Sequence, residues 1–375
     1  MDNFLDDRLD AIRAAGNFRS LAGTVTGIDF WSNDYLGLAR SQVQRGDEGV
    51  WVDPVWSGAT GSRSISGDDD SYNALERSIA AFHGYPAALM FNAGYTTNLG
   101  LFSALLKRGD TILYDELIHA SCRDGIRLGF ARGKRFPHND LEETLAHTLK
   151  QGKNNGQLFV LTEGRFSMDG DVAPLAEMAS LCKAYGAHLI VDEAHSGGLD
   201  GPEGRGLVAA LGLQSEVFAT IITFGKAFGA HGAVVLGTQS LREYLINTCR
   251  PFIYTTGPAP SQWRGVADAY NKLAVLHKER LSDLQRIIRQ FREGMLSTGM
   301  ADRLPPNEGP IQVVGFPGNE EVMLAEAACR KAGLLVKGIR SPTVPEGSER
   351  LRICLHAFNS TEEVNKLVNT LRGFG

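Results

Sequence analysis

Cysteine is scarce in this chain: Cys122, Cys182, Cys249, Cys329 and Cys354 are the only five among 375 residues. Their number is odd, their spacing is wide and no C-x-x-C pair occurs, so neither a disulfide framework nor a zinc site is expected. A reducing compartment, the cytoplasm, fits that usage. An excess of one charge is also missing. Thirty-eight basic residues stand against 43 acidic ones, a formal net of -5, which argues against bulk attraction to nucleic acid or an anionic membrane. No apolar run approaches the roughly 18 residues of a membrane helix. The acidic opening Met1 to Asp10 lacks the apolar core of a signal peptide. Repeats and low-complexity tracts are absent too.

What the chain does have is glycine, 43 residues against a usual share of about 7%. The glycines cluster beside Ser, Thr, His and Lys, which points to tight loops around a ligand. Short β-rich runs alternate with helical patterns, predicting an α/β fold with a mostly parallel sheet. The expected strands are Ala87–Phe91, Thr111–Tyr114, Leu158–Thr162, His188–Val191, Phe218–Thr223 and Gly232–Leu236. Ser71–His83 reads as a helix, with aspartates before it and Gly84 after it. Thr97–Lys107 reads as another, following the turn at Gly94. Gln262–Leu296 carries Leu284, Ile287, Ile288, Phe291 and Met295 at helical spacing, and its Arg286, Arg289 and Arg292 read as a solvated face. An α+β portion follows from about residue 300. The expected division is an N-terminal arm over 1–45, a large domain over 46–260 and a small domain over 261–375, the arm packing with the small domain.

The chemistry centres on Thr223-Phe224-Gly225-Lys226-Ala227-Phe228-Gly229. A lysine that attacks an aldehyde must be desolvated yet reachable, and a glycine-bounded loop at a strand end supplies both conditions. Alone, such a lysine would be a surface turn. Thirty-four residues upstream, Asp192 ends an apolar strand, where ligands bind in open α/β sheets. Pyridoxal phosphate (PLP) requires a carboxylate at that place to keep its ring nitrogen protonated. His195, three residues further on, lies within reach of the ring's phenolic oxygen. The letters Asp192-Glu193-Ala194-His195 also occur in ATP-driven helicases, but those need a phosphate loop ending in Gly-Lys-Ser/Thr. Here Gly133-Lys134 precedes Arg135 and Gly225-Lys226 precedes Ala227, so the metal-holding hydroxyl is missing.

Other residues are candidates on weaker grounds. Gly94 and Tyr95 lead from a strand into a helix, where backbone N–H groups would face a phosphate. Thr223 is placed to add a hydroxyl near Lys226. His119 follows a strand and would stack on a cofactor ring, or serve as a structural histidine. Arg352 would grip a carboxylate through its fork, or stay a surface charge.

Together these segments resemble the α-oxoamine synthases, PLP enzymes with the fold of aspartate aminotransferase. The segments carrying the likeness are Ser32 to Leu38 (S-N-D-Y-L-G-L), Gly61-Ser62-Arg63 with Ser66-Gly67, Asp115 to Ser121, Glu163 to Gly170, Asp192 to His195, Thr223 to Gly229, and Ser341 to Pro345. The resemblance implies a fold type I large domain with a smaller α+β C-terminal domain. It implies PLP held covalently on Lys226, paired with Asp192 and stacked on His119, with Ser167 and His195 on the phenolic side. Gly94, Tyr95 and Thr223 would hold the phosphate, and Thr255 and Thr256 would reach the phosphate of the second subunit in a homodimer. Arg352 would bind the substrate carboxylate, with Arg19 and Thr343 as further substrate contacts. The implied reaction joins an amino acid to an acyl-CoA with loss of carbon dioxide. S-N-D-Y-L-G-L and P-T-V-P look most like the members that use L-alanine and pimeloyl-CoA, with glycine- and serine-using members as alternatives. Tyr72, Gly197 and His231 depart from the usual family residues, and the last two bear on the acyl pocket.

Overall fold

The computed structural model describes residues 3–14, 26–40, 57–150 and 156–374. Twelve strands are described: β1 Ile28–Asp29, β2 Ala87–Phe91, β3 Thr111–Asp115, β4 Arg132–Phe136, β5 Leu158–Glu163, β6 His188–Asp192, β7 Val217–Thr223, β8 Ala233–Gly237, β9 Ile311–Gly315, β10 Leu334–Leu335, β11 Lys337–Ile339 and β12 Arg350–Cys354. Seven of them form the large sheet, in the order β2-β8-β7-β6-β5-β3-β4. The run from β7 to β4 is parallel, and β8 alone is antiparallel to both its neighbours.

Alternate residues of these strands enter two separate cores. Val160, Leu189, Val191 and Ile222 face one layer, while Phe159, Leu161, Ile190 and Ile221 face the other. A sheet covered on both faces needs continuous apolar runs, and such runs are what made six of its strands readable. The seventh, β4, was not anticipated. Its sequence R-G-K-R-F is mostly exposed, as suits an edge strand that discourages further pairing.

Helices start and stop where the local chemistry dictates. Asp69 caps the helix Asp70–His83 by accepting from the Ser71 amide, and Gly84 ends it in the left-handed conformation (φ 79°). Pro260–Leu296 is one continuous helix that buries Leu284, Ile287, Ile288, Phe291 and Met295. Its arginines do not all share a solvated face. Arg286 and Arg289 are exposed, but Arg292 turns inward to the Pro305 carbonyl (3.2 Å) and Gln312 Oε1 (2.8 Å). The last part of the chain is α+β: β11, β12 and β9 form an antiparallel sheet, and β10 pairs in parallel with β1. Among the described residues, no helix is long and apolar enough to cross a membrane.

This topology places chemistry at one edge. Strands β2, β3, β5, β6 and β7 run the same way, so their last residues, Phe91, Asp115, Glu163, Asp192 and Thr223, reach the same end of the sheet. Open parallel sheets bind ligands at that end.

Candidate active site

Asp192 ends β6 and is 3% exposed. Its Oδ1 accepts the Ala194 amide at 3.0 Å, and its Oδ2 accepts Asn98 Nδ2 at 2.9 Å, with Cys122 Sγ 3.6 Å away. Its Cα partner on β5 is Glu163, also buried. Glu163 accepts the His119 amide at 2.6 Å and is pushed up to about 8, chiefly by burial and then by the charge of Asp192. Lys226 lies in the loop joining β7 to β8, which is closed by Gly229 N–H to Lys226 O (2.9 Å) and Ala230 N–H to Phe224 O (2.8 Å). Burial depresses the Lys226 amine, while Asp192 and Glu163 pull it partly back. Burial thus makes this amine easier to deprotonate than an exposed lysine, the direction that covalent or proton-transfer chemistry needs.

His119 caps the N-terminus of the helix Ala120–Leu128. Its Nδ1 lies 2.7 Å from Ser121 Oγ and accepts the Ser121 amide at 3.2 Å. Burial lowers its pKa, which favours neutral imidazole. The ring of Tyr95 meets it edge-on with centroids 6.4 Å apart, and the Tyr95 hydroxyl donates to Asp124.

A second network joins His195, Tyr35, Asn33 and Arg352. His195, 5% exposed, is held well below the ordinary histidine range by burial and next by Lys226. Its Nδ1 meets the hydroxyl of fully buried Tyr35 at 2.7 Å, and the same hydroxyl donates to Asn33 Oδ1 at 3.1 Å. Arg352, on β12, sends Nη2 to Asn33 Oδ1 (3.0 Å), Nε to the Ser167 carbonyl (2.8 Å) and Nη1 to Cys354 Sγ (3.0 Å). Three of its five N–H groups are thus occupied by described residues, which fixes the fork while leaving donors for a ligand.

Gly94 opens the helix Gly94–Leu105, with Thr223 against it. A Cβ at Gly94 would fall 2.6 Å from Thr223 Cγ2, so only glycine lets the end of β7 approach this turn. Thr223 Oγ1 donates to the Ala194 carbonyl at 3.3 Å. Thr255 and Thr256 are exposed nearby; the Thr256 carbonyl accepts Asn92 Nδ2 at 3.0 Å, and both line a crevice with Asn92 and Thr96. Thr343 is exposed in the turn after β11, its amide on the Arg340 carbonyl (2.8 Å). Arg19 lies outside the described residues.

The three departures fall differently. Tyr72 is core: its hydroxyl donates to the Pro258 carbonyl and its ring lies 5.2 Å from Trp263. Gly197 has Ile222 where a Cβ would be, 2.6 Å from its Cδ1, so a side chain there would have to push that terminal methyl aside. His231 is exposed.

Sequence reasoning gave no role to Glu163, Asn98, Ser121, Asn33 or Tyr35, although all but Asn98 lie in motifs it singled out. One signal was available for Glu163. Two adjacent strand patterns each end in an acidic residue, and in a parallel pair those ends meet.

These residues fit PLP by their donor chemistry. The paired carboxylates, depressed lysine, neutral histidines and glycine-only cradle at Gly94 supply what its ring, aldehyde and phosphate need. A profile of the family described as aminotransferase class I and II matches residues 25–371. An 8-amino-7-oxononanoate synthase from Alkalilimnicola ehrlichii is 38% identical, over 99% of this chain and 97% of its own. A serine palmitoyltransferase structure from Sphingomonas wittichii superposes with a TM-score of 0.87 at 30% identity, covering 99% of this chain and 96% of that one. A serine palmitoyltransferase variant from S. paucimobilis, solved with a bound PLP-myriocin adduct, gives a TM-score of 0.85 at 27% identity, with 99% and 96% covered. The chain belongs to the aminotransferase class I and II family, in its α-oxoamine synthase branch.

Proposed function

We propose that this protein is an 8-amino-7-oxononanoate synthase, joining L-alanine to a pimeloyl thioester such as pimeloyl-CoA and releasing carbon dioxide, CoA and the biotin precursor that names the enzyme. The observation that carries this reading is the 38% identity to a synthase of that name across nearly the whole of both chains. The S-N-D-Y-L-G-L and P-T-V-P segments support it. A second reading, serine as the amino acid, draws on the TM-scores of 0.85 and 0.87 to serine palmitoyltransferases, but the identities there are lower, 27% and 30%.

When bound, PLP supplies an electron sink for the charge left on the amino acid's Cα and on the decarboxylating product. Lys226 would anchor it covalently, and its depressed amine, once displaced by the substrate, would take the Cα proton. Asp192 would hold a proton on the ring nitrogen, its own oxygens already oriented by Ala194 and Asn98. His119 would stack on the ring, and Ser167 and His195 would face its phenolic oxygen. The amides of Gly94 and Tyr95 and the Thr223 hydroxyl would bind the phosphate, joined across a homodimer by Thr255 and Thr256 of the second copy. Arg352 would hold the substrate carboxylate with the fork that Asn33 and Ser167 orient, with Arg19 and Thr343 as further contacts. A cytoplasmic location accords with the five unpaired cysteines.

The deciding experiment is CoA release by PLP-loaded protein, with L-alanine, glycine and L-serine each crossed against pimeloyl-, acetyl- and palmitoyl-CoA. Dominance of alanine with pimeloyl-CoA is expected. Dominance of serine with palmitoyl-CoA, or of glycine with acetyl-CoA, would replace the proposed substrates.

A further inference from the structure

A chain of hydrogen bonds joins Asp192 to His119, and the direction of every bond in it is determined. It begins at Asn98, 2% exposed, whose Nδ2 donates to Asp192 Oδ2 at 2.9 Å and to Ser121 Oγ at 3.0 Å. The amide cannot be flipped, because its oxygen would then face a carboxylate oxygen. In the orientation present, Asn98 Oδ1 has no partner among the described residues, so a buried acceptor is left unsatisfied to keep both N–H groups on these two oxygens.

Ser121 Oγ therefore already accepts one hydrogen bond, and His119 Nδ1 stands 2.7 Å away on its other side. The Ser121 backbone amide also points at Nδ1, at 3.2 Å. A backbone N–H can only donate, so Nδ1 must be an acceptor and carries no proton. The serine hydroxyl then donates to the same nitrogen. Glu163 fixes the histidine from the other side by accepting its backbone N–H.

We infer that Asn98 and Ser121 are positioning residues that lock His119 as the neutral tautomer with its hydrogen on Nε2 and join it to Asp192 as one unit. His119 then presents an N–H donor on its free ring edge, and Asp192 Oδ2 keeps the Asn98 amide as its donor. The link to a cofactor beside Asp192 rests on the proposed function, whereas the tautomer rests only on bond direction.

The test is a long-range proton–nitrogen correlation spectrum of the full chain labelled with 15N-histidine, recorded near neutral pH with and without PLP. His119→Gln identifies the signals. A proton on Nε2 and none on Nδ1 is expected in both samples, and Ser121→Ala should shift the Nδ1 signal. A proton on Nδ1, or on both nitrogens, would overturn the assignment whether or not PLP binds. The second arm follows the absorbance of bound PLP against pH. Asn98→Asp sets a second carboxylate against Asp192 and should move that titration by about one pH unit, while Ser121→Ala leaves it in place. Should Asn98→Asp not fold, Asn98→Leu removes the same donor without adding charge. An unmoved titration in a folded variant would break the tie to Asp192. No PLP absorbance at all would instead defeat the proposed function and leave the tautomer result standing.

Discussion

Glu163 and Asp192 are Cα partners on neighbouring parallel strands, so two buried carboxylates end side by side with Lys226 as their shared cation. Two like charges so close and so dry do not both ionise readily. Glu163 yields, its pKa pushed up to about 8 from 4.5, and it is largely protonated at neutral pH.

Glu163→Gln mimics that protonated form and should leave stability nearly unchanged at pH 4. A carboxyl whose folded pKa is raised contributes stability that is complete below its unfolded pKa and lost as pH rises through the folded one. The wild-type protein therefore loses stability between about pH 4.5 and 8 at this site, and the variant does not. Urea unfolding of the cofactor-free protein at pH 9 should favour Glu163→Gln by several kcal/mol. Equal stability of the two proteins at pH 9 would mean Glu163 ionises without penalty.

Lys226→Ala removes both the proposed covalent anchor and the proposed base. Turnover should fall by on the order of 10³ or more. After borohydride reduction the wild-type chain should retain the mass of PLP, and the variant should not. A variant that retained PLP mass and turned over normally would place the reacting lysine elsewhere.

Much of this arrangement was legible in the sequence. Lys226 and Asp192 follow strands whose apolar runs are required by burial on both faces, so pattern alone located their ends. The polar strand β4 escaped because an edge position relaxes that requirement. Asn98 escaped for another reason: within Gly94–Leu105 it looks like any polar helical residue, and only the folded contact with Asp192, 94 positions away, gives it a role. Arg292 was misread as solvated because helical spacing says nothing about the Gln312 side chain that meets it.

Tyr35→Phe should test the link between His195 and Arg352. The Tyr35 hydroxyl touches His195 Nδ1 and Asn33 Oδ1, and Asn33 in turn orients Arg352. Its removal leaves His195 without that partner in a buried setting, at a cost of about 1–3 kcal/mol. Thermal unfolding should shift downward. If Asn33 transmits the change to Arg352, KM for the amino acid rises by about tenfold, the equivalent of 1.4 kcal/mol. An effect on kcat alone would show that His195 feels the hydroxyl and Arg352 does not.

His138 lies outside the candidate site but clamps two segments that build it. Its Nδ1 sits 3.1 Å from both oxygens of Asp115 and its Nε2 sits 2.8 Å from Asp171 Oδ2. Asp115 ends the strand leading to His119, and Asp171 follows the turn carrying Ser167. Burial opposes the charge on His138, but hydrogen bonds to the two carboxylates prevail and raise its pKa to about 10 from 6.5. The stability this contributes is complete below the unfolded pKa and is lost as pH rises through the folded one. His138→Gln should therefore cost about 2 kcal/mol at pH 6, and the gap to wild type should close as pH passes about 10. Urea unfolding at pH 6 and 10.5 gives both values, and a gap of equal size at the two pH values would show that charge has no part in the clamp. Because both clamped segments lead into the site, the variant should also hold PLP less tightly at pH 6 than at pH 10.5, relative to wild type at each pH.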